Sequence, residues 1–328
     1  MCKKECPLNS QIGNLPKKAW YGWHTDKQVR DTSTSGGAFR ALADVVLENN
    51  GVVYGAVYSE DLRSVVISST DEHNILDIQK SKYTVSNPTG VFKKIRSQLD
   101  SGRVVLFCST PCQVAGLSAF LKKDYDNLIK CDFVCGGMSS LNCYREHLDT
   151  LEKQYGSKIK SIDFRSKIIK WQKMRMMIEF ENGKKVYFKT YKDSYYSAFV
   201  NHHISVRKSC LSCKYHDRHV SDITIADFWG YKLADVKPNN EGMSLIVANT
   251  QKGSEFVDKI KSFNKLPLSV DIAKYAFACR TANAKKLEQQ DKFFARVEKL
   301  GFEEAAKPYL SNELKHIKSY IKVKLKLK

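Results

Sequence analysis

The chain has 328 residues, 42% hydrophobic and 11% aromatic, enough apolar material for one large or two ordinary cores and too much for a disordered chain. No run of about 18 uncharged apolar residues occurs and residues 1–8 lack an apolar segment, so neither a membrane span nor a secretory signal is expected, and a cytoplasmic location is. The net charge of +19 suits an anionic partner, yet no recognition helix, zinc finger or RNA-binding signature accompanies it; a solvated basic surface is expected and nucleic-acid binding is not.

Ten cysteines in such a chain point to metal ligands, redox groups and buried thiols more than to disulfides. Cys2 and Cys6-Pro7 form C-x3-C-P, the closing half of a bacterial ferredoxin run; without the opening half they cannot complete a cluster, and residues 1–19 read as a ferredoxin remnant. Residues 20–31 read as extended and aromatic. Ser33-Thr34-Ser35-Gly36-Gly37 then opens an amphipathic helix with its stripe at Phe39, Leu42, Ala43, Val46 and Leu47. A small, hydroxyl-rich helix start suits a phosphate, or is simply a cap. Strands are expected at 52–57 and 64–68, a short helix at 71–78, a polar loop at 80–86 and a helix at 90–99.

An apolar run at 104–107 meets a turn carrying Cys108, Ser109, Thr110, Pro111, Cys112 and Gln113. A helical stripe follows at Val114, Leu117, Ala119, Phe120 and Leu121, then a second apolar run, 128–134, ending at Cys135 and Gly136-Gly137. Strand, crossover helix and strand make the two strands parallel, so the loops after both open on the sheet edge where ligands of α/β sheets bind. Cys112 and Cys135 are therefore expected to be neighbours. Cys131 lies about 13 Å from Cys135 along an extended strand and reads as core, as does Cys108.

Residues 141–155 read as a helix whose Cys143 and His147 are packing or surface groups. Strands are expected at 161–164, 174–180 and 184–189, the last two joined by the hairpin signal Asn182-Gly183. Phe164-Arg165-Ser166-Lys167 and Trp171 gather cations with aromatics, fit for a planar anionic cofactor or a covered surface. Residues 194–203 read as helix-like. Cys210-Leu211-Ser212-Cys213 grips one metal or cluster from a single turn, and the flanking Arg207, Lys208 and Lys214 are expected to lower the thiol pKa values. His216, Asp217 and His219 fit no zinc-module spacing. A strand within 221–230 ends at Asp227 and Trp229, another occupies 244–250, and the pattern is helical from 252. The tail, 321–328, alternates lysine and aliphatic residues, as a partner-binding strand or a frayed basic end. The candidate ligand set is Cys112, Cys135, Cys210 and Cys213.

The fold class is thus α/β: a mixed, largely parallel sheet with flanking helices, a second region containing a β-hairpin, and a helical C-terminus. The expected divisions are 1–19, 20–157 for the N-terminal α/β domain, 158–265 for the region with C-x2-C, and 266–328 for the helical extension with its basic tail.

Taken in order, Ser33 to Gly37, Ser81-Lys82-Tyr83, Thr110-Pro111-Cys112-Gln113, Cys135 with Gly137, Phe164-Arg165 with Lys167, Cys210 to Lys214, and the segments 222–230 and 244–250 form a series. Over about residues 20–265 it resembles the coenzyme F420 hydrogenase/dehydrogenase beta-subunit family, which includes the plant 7-hydroxymethyl chlorophyll a reductase. The resemblance implies an oxidoreductase holding FAD beside a 4Fe-4S cluster. It implies cluster ligation by Cys112, Cys135, Cys210 and Cys213, flavin phosphate contacts at Ser33, Ser35, Gly36 and Gly37, and Lys82, Tyr83 and Thr110 near the isoalloxazine or ribityl chain. No catalytic residue is singled out. The implied partners are a small-molecule, deazaflavin or nicotinamide hydride partner and a ferredoxin or other redox subunit. Two other readings stand beside this one: an electron-transfer subunit without substrate chemistry of its own, and a zinc-stabilised basic binding module.

Overall fold

The computed structural model describes residues 13–215, 218–277 and 284–310; Cys2, Cys6, His216, Asp217 and the alternating tail lie outside them. The strands, in chain order, are β1 (Lys18–His24), β2 (Val52–Tyr58), β3 (Val65–Ser69), β4 (Ser86–Asn87), β5 (Val105–Ser109) and β6 (Leu128–Phe133). They continue with β7 (Ile159–Ser166), β8 (Arg175–Phe180), β9 (Lys185–Lys189), β10 (Ile223–Asp227), β11 (Ser244–Ala248) and β12 (Phe263–Leu268).

The two apolar runs become β5 and β6, parallel in the register Val105↔Leu128 to Ser109↔Asp132, with the Pro111–Leu121 helix crossing between them. β2 joins β5 and β10 joins β6, also parallel, so four strands point one way at the centre of the nine-stranded order β12-β1-β11-β10-β6-β5-β2-β3-β4. Strands covered on both faces carry near-continuous apolar residues, as β5 does. The Ala38–Leu47 and Gln251–Asp258 helices pack Leu42, Val46 and Phe256 against Leu106, Ile129 and Ile246. On the other face Ile95 and Leu117 meet Val105 and Phe107.

The second region is the antiparallel sheet β7-β8-β9; Asn182-Gly183 suggests a two-residue type I′ turn, but only Gly183 takes positive φ (+82°), and the hairpin closes instead through a three-residue loop in which Gly183 N–H donates to Phe180 O (2.9 Å). Tyr144, Phe164, Ile178, Phe180, Tyr195 and Phe302 fill its core. The α/β class, the smaller antiparallel sheet and the C-terminal helices, Ala284–Leu300 and Phe302–Ala306, all match expectation. Among the described residues no helix is long and apolar enough to cross a membrane.

Several local expectations need correcting. Extension stops at His24, because the Asp26 carboxylate accepts from the N–H groups of Gln28 and Val29 and starts the Lys27–Thr32 helix. The helix expected at 71–78 shrinks to Ile75–Ile78 behind the Asn74 cap. Residues 194–203 form one α-turn followed by a π-turn, Ser197–Asn201. The helical reading after 252 misses β12, which pairs with β1 at the sheet edge, where Pro267 is tolerated. β10, β11 and β12 all follow residue 158 yet complete the large sheet, so that sheet draws on both sides of the 157/158 division.

His147 is buried between Asp193 (Nε2–Oδ2 3.1 Å) and Glu303 (Nδ1–Oε1 2.7 Å), tying the Leu141–Tyr155 helix to Phe302–Ala306. Burial opposes the imidazolium, but the two carboxylates outweigh it and push its pKa up to about 10. Because the folded value exceeds the ordinary value of about 6.5, this stabilisation is complete below that pH and fades as the pH rises towards 10. Thermal stability is therefore expected to fall steadily from pH 6.5 to 10. His147→Gln should cost about 3–5 kcal/mol and flatten that slope; an unchanged slope would rule the triad out as its source.

Candidate functional site

The carboxyl ends of β2, β5, β6 and β10 open on a cleft of about 450 Å³. Gly55, Ser109, Thr110, Val134, Cys135 and Asp227 line it from the sheet, Gly37 to Phe39 and Gln79 to Thr84 from one side, and Arg165, Phe199 and His203 from the second region. Ser33, Ser35, Gly37, Lys82, Tyr83 and Thr110 all reach it; Gly36 lies behind its wall.

The 33–37 segment is held rigidly. Ser33 Oγ donates to Val29 O (2.7 Å) and accepts from Gln79 Nε2 (3.1 Å), and Ser35 Oγ donates to Met243 O (2.6 Å). Gly36 N–H donates to Ser244 Oγ (2.9 Å), and a Cβ at Gly36 would lie 2.6 Å from both Gly22 O and Ser244 N, which restricts the position to glycine. Lys167 Nζ bridges from below to the carbonyls of Arg30, Ser35 (3.1 Å) and Glu241 (2.6 Å), and burial pushes its pKa down to about 8. The two serine hydroxyls thus serve the scaffold. The donors left for an anion are the first main-chain N–H groups of the Ala38–Leu47 helix, at Ala38 and Phe39, which have no intrahelical acceptor.

Lys82 Nζ donates to Asp77 O (2.6 Å) and Gln79 O (2.5 Å), and burial pushes its pKa down to about 7. Tyr83 packs on Phe164 with ring centroids 5.4 Å apart, and burial raises its phenol. Arg165 Nη1 meets Asp227 Oδ2 at 2.6 Å; burial opposes its charge, but the Asp227 carboxylate prevails and holds the guanidinium above its usual value.

The four candidate cysteines converge beside this cleft. Gly137 N–H donates to Cys135 Sγ and Met138 N–H to Cys210 Sγ, each at 3.4 Å, and Thr110 Oγ1 lies 3.3 Å from Cys112 Sγ. Burial pushes the Cys135 thiol up to about 12, and nearby Cys112, Cys210 and Cys213 add to the shift. Burial also raises Cys210 and Cys213 and outweighs the opposing pull of Arg207 and Lys214, so the expected lowering of these thiols does not occur. Such thiols resist ionising together unless a cation joins them, as metal ligands do. Among the described residues no three His, Cys, Asp or Glu side chains are grouped to hold one metal ion. His219 is buried, with its Nδ1 2.8 Å from buried Asp132 Oδ2. Cys108 and Cys131 are buried as expected, though Cys108 also touches the cleft.

Gln79, Phe199 and His203 line the cleft without a local signal in the sequence. The Arg165–Asp227 pair joins two segments already conspicuous separately.

Two family models match the chain, both of the coenzyme F420 hydrogenase/dehydrogenase beta subunit: that of its N-terminal part over residues 19–93, and that of its C-terminal part over residues 102–270. Among curated proteins no sequence matches. A chain of the F420-reducing NiFe hydrogenase complex from Methanosarcina barkeri shares the fold, with TM-score 0.56 and 17% identity over 88% of this chain and 94% of that one.

Gly137, at φ +110°, offers a direct test of the cysteine geometry, since a Cβ there would lie 3.0 Å from Val206 Cγ1 and 3.3 Å from Cys210 Cβ. Gly137→Ala is expected to cost about 1–3 kcal/mol in urea unfolding and to change the rate of thiol labelling at Cys210. Gly156→Ala, also at positive φ but in open space, should destabilise without altering that rate. Equal labelling in both variants would show that Gly137 does not position Cys210.

Proposed function

The chain belongs to the coenzyme F420 hydrogenase/dehydrogenase beta-subunit family of oxidoreductases, and on that premise we propose that it is a cytoplasmic flavin- and iron–sulfur-dependent oxidoreductase. In this reading FAD occupies the cleft and a 4Fe-4S cluster is held by Cys112, Cys135, Cys210 and Cys213. The observation that carries it is the double role of Cys135, which lines the cleft and belongs to the converging cysteine set. When bound, the flavin would supply two-electron hydride chemistry and the cluster single-electron transfer.

The protein's own groups bind and orient. The N–H groups of Ala38 and Phe39 bind a flavin phosphate, while Lys82, Tyr83 and Thr110 flank the isoalloxazine or ribityl chain. The N–H groups of Gly137 and Met138 direct hydrogen bonds at Cys135 and Cys210 sulfur, an arrangement that tunes a cluster's potential. Zinc would require sulfurs about 3.8 Å apart around one ion, from a Zn–S distance of about 2.3 Å. The exposure of Cys112 places the ligand set within reach of another protein, which supports electron exchange with a ferredoxin or other redox subunit. The hydride partner is a nicotinamide, a deazaflavin or another small organic molecule.

Protein purified without oxygen is expected to carry about four irons, four sulfides and one FAD per chain, with iron lost in Cys135→Ser; zinc without flavin would overturn the proposal. Lys82 sets a pH dependence. Its ammonium form, which the flavin's oxygen acceptors favour, is populated below about pH 7, so FAD affinity is expected to fall as the pH rises beyond that. Lys82→Met should bind FAD more weakly at pH 6 and show no such fall in fluorescence titrations from pH 6 to 9; a slope equal to that of the parent protein would remove Lys82 from the site.

A further inference from the structure

One aromatic surface of the cleft belongs neither to the phosphate cradle nor to the cysteine set. Trp229, just past β10, lines the cleft and is 43% exposed. It lies flat on Trp171, with ring centroids 4.2 Å apart and planes 6° apart, and Trp171 is fully buried. Trp171 is fixed in turn, its main-chain N–H donating to Asn240 O at 2.7 Å. A lone exposed tryptophan is ordinary, but one clamped by a buried ring is a plane already in place, able to stack a second ring at little entropic cost.

Its position tells which ring. The loop that anchors the tryptophan pair is the loop that anchors the phosphate cradle. Phe228 N–H donates to Met243 O (3.0 Å), and the same carbonyl accepts Ser35 Oγ (2.6 Å). Lys167, four residues before Trp171, bridges Ser35 O and Glu241 O. Trp229 and the cradle are thus parts of one rigid unit, and both face the cleft, as the supports of a base and of its phosphate must.

Building on the flavin reading, we infer that Trp229, backed by Trp171, stacks the adenine of the flavin dinucleotide and makes the cleft select FAD over FMN. FMN lacks the base and gains nothing from this platform. No covalent step is involved. The preference resides in binding alone.

The test is equilibrium binding of FAD and of FMN to the full chain, followed by flavin fluorescence. Trp229→Leu keeps an apolar cover on Trp171 but removes the plane, and Trp229→Phe keeps a ring. Leucine is expected to weaken FAD about tenfold to a hundredfold, phenylalanine less, with FMN affinity unchanged in both. Retained FMN binding also certifies that each variant is folded. Equal weakening of FAD and FMN would overturn the inference by placing the tryptophan against the part the two flavins share, and unchanged FAD affinity would overturn it outright. A parent protein that binds neither flavin overturns the flavin reading and, with it, this inference.

Discussion

The parallel pairing of β5 with β6 is the constraint from which the site follows. Parallel strands present their carboxyl ends at one edge, so residues just beyond them are gathered whatever their separation along the chain. Cys112 stands in the first turn of the helix after β5, and Cys135 just beyond the end of β6. The C-x2-C pair reaches the same edge by another route. The Ser139↔Val206 bridge and the hydrogen bond from Arg207 N–H to Met138 O (2.9 Å) draw its loop against the residues that follow Cys135. A slip of one residue in the β5–β6 register would turn every side chain of one strand to the other face and separate the two halves of the cysteine set.

The same edge explains why the cleft is rigid before any ligand arrives. The 33–37 segment is bonded to three separate parts of the chain, through Val29, Gln79 and the adjacent Met243 and Ser244, and half-buried Lys167 satisfies three carbonyls beside it. The Arg165–Asp227 pair joins the end of β7 to the end of β10 and so holds the smaller sheet against the larger at the cleft itself. A site built on strand ends and cross-domain ion pairs keeps its geometry better than one built on free loops.

Much of this was legible in the sequence because its signals are local. The apolar runs at 104–107 and 128–134 with a helical stripe between them predict the parallel unit, and that topology brings Cys112 and Cys135 together before any coordinates exist. Asn182-Gly183 marks the hairpin, although only Gly183 takes the positive φ and the loop has three residues rather than two. What was not legible depends on distant partners. β12 carries a proline and a lysine and becomes a strand only because β1 offers it an edge. The serine-rich helix start advertises hydroxyl groups, yet Met243 and Val29, far apart in the chain, take those hydroxyls and leave the first main-chain N–H groups of the following helix as the donors without intrahelical acceptors. Cations flanking Cys210 and Cys213 suggest lowered thiol pKa values, but desolvation is set by tertiary packing and reverses the sign.

The central claim proposed for the site is that four cysteines from three segments enclose one iron–sulfur cluster beside the cleft. The most direct measurement is a crystal structure of protein prepared without oxygen, with an anomalous map collected at the iron edge. The predicted result is a single multi-iron feature bounded by the Sγ atoms of Cys112, Cys135, Cys210 and Cys213, next to the cleft wall at Cys135. Iron absent from that position, or held by a different set of side chains, would contradict it.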